Sequence, residues 1–134
     1  MKVLLVEDDF TSRVILQGLL RVHGECHIAV NGKEAVEAFR AACHSSEPYD
    51  LVCMDVRMPE MDGTEAVRQI RSIEEEHGIY STSGVRIFMT TAIQDLKTIS
   101  ASYRVLCDAY LLKPIDGAQL HQHMLAFRLI QQPV

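Results

Sequence analysis

Short apolar runs alternate with amphipathic stretches along the whole chain. Lys2–Val6 is the first run and reads as a strand. Val14, Ile15, Leu19 and Val22 then recur at helical spacing. Cys26–Val30 is a second strand, followed by a helical face of Ala35, Val36, Phe39 and Cys43. His44 to Pro48 reads as a loop, and Leu51–Met54 as the third strand. Val67, Ile70 and Ile73 mark a third helix, and Glu74 through Ser83 an exposed connection in which Glu74, Glu75 and Glu76 form a solvated face. Val85–Thr90 is the fourth strand, Leu96–Val105 a fourth helix and Ala109–Leu112 the fifth strand. Leu120, Met124 and Phe127 face inward from a fifth helix.

Three helix starts share one chemistry: Asn31-Gly32-Lys33-Glu34, Asp62-Gly63-Thr64-Glu65 and Asp116-Gly117-Ala118-Gln119. Each offers an Asx N-cap with Glu or Gln three residues on, a capping box. The fourth helix has no such start and carries Thr98, Ser100 and Ser102, poor residues for a helix interior. Strands alternating with helices predict a doubly wound α/β fold. Five parallel strands in the order 2-1-3-4-5 would carry five helices on two faces. The strands lack polar alternation, which agrees with burial on both sides.

Composition narrows the class. The chain has 134 residues, 48% hydrophobic and 23% charged, which places it among ordinary globular domains. We expect one domain over residues 1–134 with no attached effector domain, either free-standing or cut from something longer. No apolar run approaches the roughly 20 residues of a membrane helix. The net charge of −5 argues against direct nucleic-acid binding. Cys26, Cys43, Cys53 and Cys107 form no C-x-x-C pair, so they read as small hydrophobes in a reducing cytoplasm.

In such a sheet, ligands bind outside the carboxyl ends of strands 1 and 3, where the winding reverses. Glu7, Asp8 and Asp9 follow strand 1, and Asp55 follows strand 3. Thr90, Thr91 and Ala92 follow strand 4, and Lys113-Pro114 follows strand 5. Clustered carboxylates repel, and a hard divalent ion such as Mg²⁺ resolves that repulsion through oxygen ligands. A carboxylate beside such an ion can attack phosphorus and form an acyl phosphate. A lysine would neutralise the transferring group, a threonine hydroxyl would bond one of its oxygens, and small Ala92 would leave it room.

The residues that carry this chemistry also carry a family resemblance. Val6-Glu7-Asp8, Met54-Asp55-Val56-Arg57-Met58-Pro59-Glu60-Met61-Asp62-Gly63, Met89-Thr90-Thr91-Ala92 and Tyr110-Leu111-Leu112-Lys113-Pro114 resemble the motifs of response-regulator receiver domains. The resemblance runs from Lys2 to about Phe127. It implies a flavodoxin-like sheet and a phosphorylation-dependent signalling switch, with no turnover of an outside substrate. Asp55 would be the phosphoacceptor, supplied by a sensor histidine kinase or a histidine phosphotransfer protein. Asp8, Asp55 and the backbone carbonyl of Arg57 would ligate Mg²⁺, with Glu7 acting through a metal-bound water. Thr91, Ala92 and Lys113 would bind the phosphoryl group, with a cis bond before Pro114. Thr91 and Tyr110 would form the switch, whose helix 4–strand 5–helix 5 face meets an unknown downstream protein. Arg57 and Ile93 occupy the positions that tune phosphoryl lifetime, and the expectation is slow self-dephosphorylation.

One further departure and three rivals accompany the resemblance. Val105-Leu106-Cys107 replaces a glycine common before strand 5. With the Ser/Thr-rich helix 4, it predicts a shortened, shifted or mobile element. A haloacid-dehalogenase-type enzyme wants an aspartate where Arg57 stands. A flavin binder wants a glycine- and hydroxyl-rich loop where Glu7-Asp8-Asp9 stands. A receiver-like interaction module that is never phosphorylated usually lacks one of the acidic or lysine positions, and all are present here.

Overall fold

The computed structural model describes residues 1–79, 83–96 and 106–132. Its five strands are β1 (Lys2–Val6), β2 (Glu25–Ala29), β3 (Leu51–Asp55), β4 (Arg86–Thr91) and β5 (Ala109–Leu112). All four pairings are parallel and the order is β2-β1-β3-β4-β5, as the pattern predicts. The helices are α1 (Phe10–Leu20), α2 (Gly32–His44), α3 (Gly63–Glu76), α4 (Ile93–Leu96) and α5 (Gly117–Ala126).

Successive side chains of a strand point to opposite faces. Leu4, Val6, Val52, Met54, Ile87 and Met89 therefore pack on one face, against Val36 and Phe39 of α2 and Ala66, Val67, Ile70 and Ile73 of α3. Val3, Leu5, Leu51, Cys53, Phe88 and Leu111 pack on the other, against Leu16 and Leu20 of α1 and Leu120 and Met124 of α5. Both faces are covered at the centre of the sheet, which is why Val3–Val6 of β1 and Leu51–Met54 of β3 are uninterrupted apolar runs. All three Asx residues serve as N-caps, without the reciprocal half of a capping box among the described residues. Asn31 accepts from Glu34 N at 2.8 Å, Asp62 from Glu65 N at 3.0 Å and Asp116 from Ala118 N at 2.9 Å. Asp9 caps α1 in the same way, accepting from Ser12 N at 2.9 Å.

Two expectations are corrected. First, α1 buries Leu16 and Leu20, whereas Val14, Ile15 and Val22 are exposed. The helix is apolar on two stripes, so periodicity fits either. Burying one leucine is worth about 1.5–3 kcal/mol, and the sheet has room for one stripe only. Second, α3 runs on to Glu76 and Glu74 is buried. Its carboxylate meets Arg71 Nη1 at 2.7 Å and accepts from Val85 N at 2.6 Å. A short helix, α4 at Ile93–Leu96, meets the expected fourth helix only at Leu96. The rest of the expected fourth helix, residues 97–105, lies outside the described residues, as does the expectation that it is shortened, shifted or mobile.

Candidate functional site

Parallel pairing places the carboxyl ends of β1, β3, β4 and β5 along one edge of the sheet. Asp55 closes β3, and its Cα partner across the ladder is Thr90. Thr91 closes β4, and Lys113 N donates to Thr91 O at 2.9 Å. The Lys113-Pro114 bond is cis, as the resemblance implies. Ligand oxygens of Glu7, Asp8 and Asp55 lie within 4.8 Å of one another. Glu7 is fully buried, Asp55 is buried and Asp8 is exposed, so the cluster opens to solvent on the Asp8 side.

Lys113 bridges the two buried acids. Its Nζ lies 3.1 Å from Asp55 Oδ1, 3.0 Å from Glu7 Oε2 and 3.2 Å from Glu7 Oε1. Glu7 Oε1 also accepts from Asp9 N at 3.1 Å. Glu7 Oε2 is buried and, although near Lys113, makes no hydrogen bond of good geometry. Burial pushes the Asp55 carboxyl up to about 7, the Glu7 charge adds to the rise, and Lys113 opposes both. Burial works against the Lys113 ammonium, but Asp55 and Glu7 outweigh it and its pKa is raised.

These residues fit a hard divalent cation. With all three carboxylates ionised and Lys113 protonated, two negative charges remain uncompensated in a partly dry pocket. The donors are all oxygens, one of them under-bonded, and one face is open for water. Mg²⁺ takes few protein carboxylates and keeps several waters, which suits this set.

The loop after β3 is held by close backbone contacts. Gly63 N donates to Val56 O at 2.7 Å, and a Cβ on Gly63 would stand 2.1 Å from Asp55 O. Space rather than a left-handed φ demands glycine here. Gly63→Ala is expected to cost about 1–3 kcal/mol in urea-induced unfolding, since the end of β3 must shift. A loss below about 0.5 kcal/mol would show that the loop yields freely.

Thr91, Ala92, Ile93 and Arg57 also lie at this end, and Tyr110 lies further back on β5, opposite Met89. Thr91 is buried, Ala92 is half-buried beside it, and Tyr110 on β5 is half-buried. Ile93 is 65% exposed at the start of α4. The Arg57 side chain has a partner that sequence reasoning did not include: its Nε lies 2.5 Å from Asp95 Oδ1. Thirty-eight positions separate the two, and Gln94-Asp95 carries no local signal that would have found the contact.

The profile described as "Response regulator receiver domain" matches residues 3–125. The chain belongs to this family. Receiver domains are signalling modules rather than turnover enzymes. The hybrid signal transduction histidine kinase B of Dictyostelium discoideum is 38% identical over 125 residues, 89% of this chain but 6% of that protein. A receiver chain therefore spans a small part of such relatives. The receiver domain of Saccharomyces cerevisiae Ssk1, solved with the histidine phosphotransfer protein Ypd1, has a TM-score of 0.75 at 31% identity. That match covers 91% of this chain and 84% of the other. The receiver domain of a Pseudomonas aeruginosa sensor histidine kinase, solved with a magnesium ion in its active-site cleft, has a TM-score of 0.72 at 27% identity. It covers 90% of this chain and 91% of that one. Among the described residues, no helix is long and apolar enough to cross a membrane.

Proposed function

We propose that this receiver domain is a phosphorylation-dependent switch with Asp55 as its phosphoacceptor. The observation that carries the reading is Lys113, which bridges Asp55 and the buried Glu7 beside Asp8. Glu7, Asp8, Asp55 and the carbonyl of Arg57 would hold Mg²⁺, which when bound neutralises charge on the transferring group. Asp55 attacks phosphorus as the carboxylate. The phosphorus–nitrogen bond of the donor phosphohistidine breaks, a phosphorus–oxygen bond to Asp55 forms, and the leaving imidazole takes up a proton. Lys113 Nζ turns from the carboxylates toward the incoming phosphoryl oxygens, where its charge is needed most. The Thr91 hydroxyl binds another of those oxygens, and Ala92 leaves the space they occupy.

The donor is a sensor histidine kinase or a histidine phosphotransfer protein, as in the complex of Ypd1 with the Ssk1 receiver. Phe10, Val14 and Ile15 are exposed on α1, the helix that follows Glu7, Asp8 and Asp9, and would supply an apolar surface for such a partner. Thr91 and Tyr110 would pass the new charge to the α4–β5–α5 face, where a downstream protein binds. Free cysteines suit a reducing cytoplasm.

Acetyl phosphate with Mg²⁺, followed by intact mass, tests the reading. Wild type is expected to gain one phosphoryl group and Asp55→Asn none. A wild type that gains nothing leaves the unphosphorylated interaction module as the better account.

A further inference from the structure

Arg57 stands two residues past Asp55, in the loop between β3 and α3. Two residues span at most about 7 Å, so an extended arginine at this position can reach a group on Asp55. The structure turns it elsewhere. Its Nε meets Asp95 Oδ1 in α4 at 2.5 Å. The two partners differ in environment: the Arg57 side chain is 72% exposed and that of Asp95 only 10%. The pair therefore has a fixed end and a free end. Asp95 is held in the fold, where Asp95 N also donates to Ala92 O at 3.0 Å. Arg57 is the arm that can swing.

A guanidinium binds phosphoryl oxygens through two parallel N–H bonds, a geometry it shares with carboxylates. A phosphoryl group carries about two negative charges near neutral pH, against one on Asp95. Asp55 ends β3 and Asp95 follows the end of β4, so both anions lie at the carboxyl end of the sheet. We infer that Asp95 is a positioning residue for the phosphoryl chemistry at Asp55: it holds the Arg57 guanidinium off the phosphoryl group, and phosphorylation sets the two anions in competition for it. The inference rests on the function proposed above and adds a regulator of the same site. It also revises the expectation drawn from Arg57 alone. An arginine over the acceptor would shield phosphorus from water, but Asp95 withholds that shield.

Asp95→Asn keeps the shape of the side chain and removes its charge. Each protein is phosphorylated with acetyl phosphate and Mg²⁺, desalted rapidly and followed by intact mass as the acyl phosphate decays. Asp95→Asn is expected to lengthen the half-life about three- to tenfold, the range of a partly exposed charge-assisted hydrogen bond. Arg57→Ala and the double variant are expected to share one half-life, no longer than that of wild type, because the effect of Asp95 passes through Arg57. Asp95→Ser should behave as Asp95→Asn. A second readout needs neither metal nor phosphate: the Arg57 Nε–H resonance should be protected from exchange in wild type and not in Asp95→Asn.

An Asp95→Asn half-life equal to or shorter than that of wild type overturns the inference. So does a lengthening that survives in the double variant, or an unprotected Arg57 Nε–H in wild type. A wild type that takes no phosphoryl group overturns the functional reading and this inference with it. One that is phosphorylated normally but ignores the Asp95 substitution overturns the inference alone.

Discussion

Arg71→Met is expected to lower the unfolding free energy by about 3–5 kcal/mol, the usual cost of removing one partner from a buried ion pair. Arg71 uses its whole guanidinium. Nε donates to Leu106 O at 2.8 Å, and Nη1 to Glu74 Oε1 at 2.7 Å and to Val85 O at 2.8 Å. Nη2 donates to Asp108 Oδ2 at 3.2 Å. Asp108 in turn meets Arg86 Nη1 at 3.1 Å and accepts from Ile87 N at 2.8 Å. One side chain thus ties α3 to the starts of β4 and β5. Without it Glu74 keeps Val85 N as a donor but becomes a buried, uncompensated charge. Arg71→Met with Glu74→Leu should recover much of the loss, because neither charge is then stranded. Urea-induced unfolding measures both. A single-variant loss under about 1 kcal/mol, or no recovery in the double variant, contradicts the buried network.

Asp55→Asn is expected to stabilise the metal-free domain, by about 1–3 kcal/mol at pH 8, although it removes the proposed acceptor. The sign follows from the raised carboxyl. In the unfolded chain Asp55 ionises near its ordinary 3.8, whereas in the folded chain burial and Glu7 hold its pKa near 7. Between those values the folded state binds more protons, so its stability falls as pH rises and then levels off above about 7. The value near 7 already includes the opposing Lys113 charge, and solvent screening at the open side of the cluster keeps the expected gain below the full shift. In chelator, wild type should lose stability from pH 4 to 7, and Asp55→Asn should lose less. Adding Mg²⁺ should stabilise wild type more than Asp55→Asn, since a ligand of the folded state adds its binding energy. Equal pH slopes for the two proteins would show that Asp55 is an ordinary solvated acid.

The gathering of the candidate site residues at one sheet edge was largely legible because it depends on order along the chain. Glu7, Asp8, Asp55, Thr91 and Lys113 each follow an apolar run, and parallel pairing brings the ends of such runs together. The caps at Asn31, Asp62 and Asp116 were legible for a related reason: each acts within three residues. The buried stripe of α1 was not legible. Val14, Ile15 and Val22 compete with Leu16 and Leu20 on hydrophobicity alone, and the sheet and α5 decide between them. Glu74 misled for another reason. It opens a run of three glutamates, and its burial depends on Arg71 together with the backbone of Val85, eleven residues on.

The sequence by itself therefore determined the alternation of elements, the parallel sheet, the three Asx N-caps and the set of groups at one sheet edge. These follow from local periodicity, local capping and one topological rule. Only the tertiary structure decided which α1 stripe is buried, that Glu74 lies in the core, that Gly63 touches the Asp55 carbonyl and that Arg57 is held by Asp95. Each of these depends on a distance between elements far apart in the chain. Packing sets such distances, and no local pattern of side chains encodes them.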